Sequence, residues 1–157
     1  MNATERLGFE GFFEDFSVGD VYRHARGKTV SELDNVLITN MVLNTAEPHF
    51  NEHAAQLDPM FGKRTVFGGI TIAMVIGLAA QDTARQALCE LGMENIRLFA
   101  PVYHGDTLYA FTEVIAVNAN PDKGGGEVSF IHHGYNQNNV TVFSGERKVL
   151  IASRNIK

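Results

Sequence analysis

The strongest constraint on how this chain can fold is a run that has no polar side. Gly68-Gly69 is followed by Ile70-Thr-Ile-Ala-Met-Val-Ile-Gly-Leu-Ala-Ala80, and wound as a helix its apolar residues occupy the whole circumference. A helix that is apolar all round is buried all round, so the rest of the chain must wrap it. The run turns amphipathic only from Gln81, where Asp82, Arg85 and Gln86 enter, which predicts one helix near Gly69 to Ala87. Ile72, Val75, Ile76 and Ala79 are expected to be almost inaccessible. The apolar stretch is far short of the ~20 residues that cross a bilayer, so no membrane span is expected.

The material available for wrapping lies mostly downstream. After Gly92 the chain reads as strands: Ile96 to Pro101, then Thr107 to Val117, separated by the tight turn His104-Gly105-Asp106. Pro121 to Gly126 is a flexible connection. Glu127 to Gln137 and Thr141 to Ala152 then pair across Asn136 to Asn139, where asparagine tolerates positive φ. Upstream, Val21 to Thr29 is a candidate first strand. Ser31 with Asp34 three residues on is a helix N-cap, and Leu33, Val36, Leu37, Met41 and Val42 fit its apolar face. Pro48 interrupts that pattern and disfavours helical dihedrals at Glu47, while Asn51 can cap a short turn through Leu57. Helices first and an antiparallel meander second define an α+β class. One buried helix inside a curved antiparallel sheet is the hotdog arrangement, expected here as a single domain over residues 1–157.

Composition removes several functions. The net charge is −5 and the basic residues are scattered, so no nucleic-acid stripe is expected. The one cysteine, Cys89, cannot close an intramolecular disulfide. Glu5, Glu10, Glu14 and Asp15 sit where a signal peptide would be apolar, and together these features point to a cytoplasmic protein. Phe9, Phe12, Phe13 and Phe16 are too dense for a free tail; they fit a lead-in covering a core edge, or a subunit contact.

The candidate chemistry lies in Asn44-Thr-Ala-Glu47-Pro-His49-Phe-Asn51-Glu52-His53, a proline-broken loop between helical segments. His49 is the acid/base candidate, since histidine ordinarily titrates near neutral pH. Gly68 and Gly69 open the buried helix, where unpaired N–H groups and the helix dipole favour negative charge. Their backbone could form an oxyanion hole for a thioester carbonyl, or the glycines could serve only tight packing. No metal site is expected: His132 and His133 are adjacent on a strand and point oppositely, and Pro48 and Asn51 separate His49 from His53. Serine-hydrolase, Walker and dinucleotide motifs are missing from the sequence.

These residues resemble the MaoC-like dehydratases, which include (R)-specific enoyl-CoA hydratases. The resemblance runs through Phe13-Glu-Asp-Phe-Ser-Val-Gly-Asp20, Asn44 to Asn51, Phe61-Gly-Lys-Arg-Thr-Val-Phe-Gly-Gly69 and Pro101-Val-Tyr-His-Gly-Asp-Thr-Leu108. His133-Gly-Tyr-Asn-Gln137 is similar, more narrowly, to the mesaconyl-CoA and β-methylmalyl-CoA hydratase branch. The resemblance implies that an Asp and a His five residues apart act on the catalytic water, while a glycine N–H at the start of the central helix binds the thioester oxygen. His49 falls on the family histidine and Gly68 on the helix-start glycine. Asn44 stands where the family aspartate usually stands, as it also does in the mesaconyl-like branch. Phe67 replaces a common His, and Pro48 sits one place later than usual.

An amide cannot accept a proton as a carboxylate does. Three readings follow: His49 works with Asn44 as a positioner, Glu47 replaces the lost carboxylate, or the domain binds thioesters without hydrating them. The implied activity is reversible hydration of a short 2-enoyl-CoA or acyl-carrier thioester, branched and dicarboxylic chains included. It needs no cofactor, because CoA or pantetheine is part of the substrate, and a homodimer is implied. A catalytically silent acyl-thioester-binding protein is the alternative, and a hotdog thioesterase is a second. The thioesterase fits less well because such enzymes often use a carboxylate on or beside the central helix, where Asp82 comes only late.

Overall fold

A computed structural model describes residues 9–155. The reading of the extreme N-terminus, Glu5 included, lies outside the described residues. The rest forms the hotdog arrangement: one long helix lies in the curve of an antiparallel sheet. The strands are β1 (Val21–Arg23), β2 (Lys28–Thr29), β3 (Ala87–Leu98), β4 (Thr107–Asn120), β5 (Gly125–Asn136) and β6 (Thr141–Ala152). Their order is β1-β4-β5-β6-β3, with β2 also on β4. The helices are α1 (Glu32–Met41), α2 (Glu47–Phe50), α3 (Glu52–Leu57) and α4 (Gly68–Thr83).

Local chemistry sets most boundaries. Ser31 Oγ accepts the Asp34 N–H at 3.1 Å, and the Asp34 carboxylate accepts the Ser31 N–H at 2.8 Å, so α1 begins with the expected reciprocal cap. Asn51 Oδ1 accepts the Ala54 N–H and starts α3. The β5–β6 turn closes on Asn136, whose Oδ1 accepts the N–H groups of Asn138 and Val140, with Asn139 at φ 59°.

The core is apolar side chains from α4 laid on the inner face of β4, β5 and β6. Val75 and Ala79 are wholly buried, as are Leu108, Ala110 and Val142, with Phe143 nearly so. Burying a side chain the size of Val or Leu contributes about 1.5–3 kcal/mol. Contact is close enough that a Cβ on Gly134 would lie 2.4 Å from Val75 Cγ2, so glycine is required where the helix crosses β5. A second cluster joins Phe16, Tyr22, Val114, Val128, Phe130, Val149 and Ile151, with Phe9 and Phe13 packed on it. The phenylalanine-rich lead-in thus covers a core edge.

Several expectations need correction. The helix α4 ends at Thr83, not Ala87, and Ile72 and Ile76 are only half-buried while Ala73 and Gly77 are exposed. Its all-round apolar surface is wrapped on one side only within one chain. The first strand is split into β1 and β2 by a bend at Ala25, just after His24, whose N–H still donates to the Ala110 carbonyl. Glu47 is helical after all: α2 carries Pro48 in its first turn, where no N–H is needed. The helix α1 stops before the proline, with Leu43 at φ 57°. Leu33, Leu37 and Met41, expected inside, are 62%, 59% and 72% exposed; α1 instead buries Asn35 and Thr39. The strand expected from Ile96 begins at Ala87. It is an edge strand exposed along its length, so no alternation betrays it.

Beneath the C-terminal half of α4 lies a buried polar chain. His24 Nδ1 is 2.6 Å from an Asp82 carboxylate oxygen, and His24 Nε2 is 2.8 Å from Thr112 Oγ1. That hydroxyl is in turn 2.7 Å from His132 Nδ1. His132 is wholly buried, its Nε2 has no partner among the described residues, and burial, then the Arg147 charge, hold its imidazole down to about 3.

Candidate active site

The loop bearing His49 is pinned against the entry to α4. Thr65 N–H donates to the Pro48 carbonyl at 2.9 Å. Arg64 reaches both Glu32 of α1 and Glu52 of α3, which fastens the segment before α4 to the two helices flanking the loop. The half-buried His49 ring sits 5.8 Å from the Phe67 ring.

His49 Nδ1 lies 3.0 Å from the Thr65 carbonyl oxygen and 3.1 Å from Thr65 Oγ1. A carbonyl only accepts, so Nδ1 carries the proton in this contact. In the neutral ring Nε2 then holds the lone pair. This is the tautomer that can take a proton.

His49 and Gly68 line one cleft of about 360 Å³, together with Phe61, Thr71, Leu98 and Phe99. At the start of α4 the Ile70 and Thr71 N–H groups donate back to the Phe67 carbonyl. The Gly68 and Gly69 N–H groups donate to no acceptor among the described residues. A Cβ on Gly68 would lie 2.5 Å from Leu98 Cδ1, so the backbone at this point is bare because glycine stands there. An apolar cleft with a lone-pair imidazole and free N–H donors can polarise a carbonyl and move a proton beside it.

The other two candidates are placed differently. Asn44 is half-buried, with its Oδ1 accepting the Ala46 N–H at 3.2 Å, and it is not on the cleft lining. Glu47 is exposed and its carboxylate accepts from the Asn51 amide at 2.7 Å. His53 belongs to α3, separated from His49 by the extended residue Asn51. His133 lies on the sheet face opposite His132, stacked on Phe111 at 4.5 Å. Among the described residues no three His, Cys, Asp or Glu side chains gather as a metal would require.

Two residues that organise the site were not singled out in the sequence. Thr65 orients His49. Asn35, wholly buried on α1, donates from Nδ2 to the His49 carbonyl and accepts the Phe67 N–H on Oδ1, both at 3.0 Å. The only signal for Asn35 was a polar pair, Asn35 and Thr39, on one face of α1.

The model of a family described as mesaconyl-CoA hydratase matches residues 10–153. The chain is 33% identical over 116 residues to a β-methylmalyl-CoA dehydratase of Chloroflexus aurantiacus, an alignment covering 74% of this chain and 32% of that protein. It is 31% identical over 156 residues to a mesaconyl-CoA hydratase of Haloarcula marismortui, covering 89% of this chain and 41% of the relative. Among solved structures, a MaoC domain dehydratase from Chloroflexus aurantiacus superposes with a TM-score of 0.84 at 25% identity, over 99% of this chain and 49% of that one. The chain therefore spans about a third to two-fifths of the length of these curated relatives.

Proposed function

We propose that this chain, which belongs to the mesaconyl-CoA hydratase family, catalyses the reversible hydration of a short 2-enoyl thioester. Branched and dicarboxylic acyl chains are included, as the names of its relatives suggest. The observation that carries the proposal is one cleft lined by His49 and Gly68, whose Nε2 and N–H respectively have no hydrogen-bond partner among the described residues.

In this reading the thioester oxygen rests on the Gly68 N–H, with Gly69 beside it, and the carbonyl is polarised. The His49 Nε2 takes a proton from water as the water oxygen bonds to the β-carbon. The electron pair of the double bond moves toward the thioester oxygen, and the imidazolium returns its proton to the α-carbon. Asn44 can orient water but not deprotonate it. Glu47, exposed and held by Asn51, is assigned to the loop rather than to the chemistry. CoA or an acyl-carrier pantetheine enters as part of the substrate, with no separate cofactor.

Asn44 also supports a second reading, a silent acyl-thioester binder, since its oxygen is already engaged by Ala46. Asp82, the one carboxylate on α4 that could serve a thioesterase, is in contact with His24. Incubation with crotonyl-, mesaconyl- and itaconyl-CoA separates the possibilities. Hydrated product supports the proposal, free CoA points to a thioesterase, and binding without turnover leaves the silent binder.

A homodimer is part of the proposal. The outer edge of β3 pairs with no strand among the described residues, and the strand exposes Leu88, Leu91, Met93, Ile96 and Leu98, while Ala73 and Gly77 of α4 are exposed as well. A long apolar edge needs cover. Met93→Lys is expected to yield monomers by light scattering, and a monomeric wild type would refute the dimer. No helix among the described residues is long and apolar enough to cross a membrane. With one exposed free cysteine, Cys89, a cytoplasmic location completes the proposal.

A further inference from the structure

The two halves of the proposed site belong to different elements. The base is on α2, whereas the thioester-oxygen donors open α4, nineteen residues later in sequence for Gly68. Thr65 bonds to Pro48 and His49, but it stops short of the helix itself. One side chain from a third element spans the gap. Asn35 of α1 donates to the backbone carbonyl of His49 at 3.0 Å and accepts the N–H of Phe67, the residue that caps α4, also at 3.0 Å. It is wholly buried, and its own backbone carbonyl is held by the Thr39 hydroxyl at 2.7 Å.

We propose that Asn35 is a positioning residue, and that its buried carboxamide sets the distance between the His49 base and the Gly68–Gly69 donors. The role rests on the hydratase reading given above. An amide suits it because it offers a donor and an acceptor at a fixed spacing. It also satisfies the Phe67 N–H, which is otherwise left without an acceptor at the start of α4. Asn35 touches neither substrate nor water in this scheme; it acts through His49 and Phe67. Leucine at this position would leave both backbone groups buried and unpaired. Aspartate, when ionised, would keep the acceptor for Phe67 but set an oxygen against the His49 carbonyl. The two substitutions therefore disturb different halves of the site.

The test uses the full chain at mildly alkaline pH and two readouts on the same samples. One is kcat and KM for crotonyl-CoA hydration. The other is the carbonyl stretching frequency of carbonyl-labelled butyryl-CoA, a saturated thioester that cannot be hydrated. In folded Asn35→Leu, kcat should fall by about 100-fold, the cost of a misplacement near 1 Å, with KM within about threefold, and the carbonyl band should return toward that of free ligand. In Asn35→Asp, kcat should fall while the lowered band is kept, which a purely structural role would not produce. If both variants only melt at lower temperature, and retain wild-type kcat and carbonyl band while folded, the positioning role is overturned. A wild type that lowers the band but hydrates nothing refutes the hydratase reading, and loss of that band in Asn35→Leu still supports positioning. A wild type that does neither overturns both.

Discussion

Replacing Gly68 by alanine tests whether the bare backbone at the start of α4 does the work assigned to it. The added Cβ would lie 2.5 Å from Leu98 Cδ1, so one of them must move. Leu98 can yield, because it is about half exposed at the end of β3. Turning it off its rotamer costs about 0.5–1.5 kcal/mol. Alanine gains up to about 1 kcal/mol over glycine within a helix. The two nearly cancel, so stability should change by less than about 1 kcal/mol, read from urea unfolding with an unchanged slope. Function should change far more. The methyl stands beside the Gly68 N–H and drives Leu98, another cleft residue, from its place. A thioester oxygen kept from its donor is equivalent to a donor removed, which costs about 10²–10³-fold. The assay is kcat/KM for crotonyl-CoA hydration, followed by loss of enoyl-thioester absorbance. A folded Gly68→Ala protein within threefold of wild type would refute the reasoning.

Other outcomes follow from the same geometry. His132 is held neutral in the fold to about pH 3, whereas a histidine in the unfolded chain binds a proton near 6.5. Between these values the unfolded state binds the extra proton, so stability rises with pH across this window and falls on acidification by about 1.4 kcal/mol per pH unit from this group. His132→Phe should flatten the curve by that slope, measured by urea unfolding at a series of pH values; an unchanged slope would contradict the assignment. Glu47→Gln should leave kcat within about threefold, since the carboxylate is exposed and held by Asn51. A loss as large as that of His49→Ala would make Glu47 the base instead.

What the sequence made legible was whatever local chemistry determines. The Ser31–Asp34 and Asn51 caps, the asparagine turn and the length of β6 all follow from residues within a few positions of one another. The apolar run at α4 identified the core helix for the same reason. The chain's remaining apolar residues misled. Leu33, Leu37 and Met41 have helical spacing, yet the inward face of α1 is Asn35 and Thr39. Periodicity reports which residues share a face; it does not say which face meets the core. The strand β3 was hidden because an edge strand exposed on both faces has no reason to alternate. At the site, His49 and Gly68 were found by residue type and resemblance. Asn35 and Thr65 act by pairing with backbone groups distant in sequence, and one chain's text contains no such pairing.

The account's central claim is that His49, with Nδ1 donated to Thr65, moves the proton of the hydration. The direct measurement is kcat for crotonyl- and mesaconyl-CoA in His49→Ala, alongside the dissociation constant for butyryl-CoA and a melting curve that shows the variant folded. Loss of a general base should lower kcat by about 10²–10⁴-fold while binding changes only a few-fold. A folded His49→Ala protein that hydrates either substrate at the wild-type rate would contradict the account.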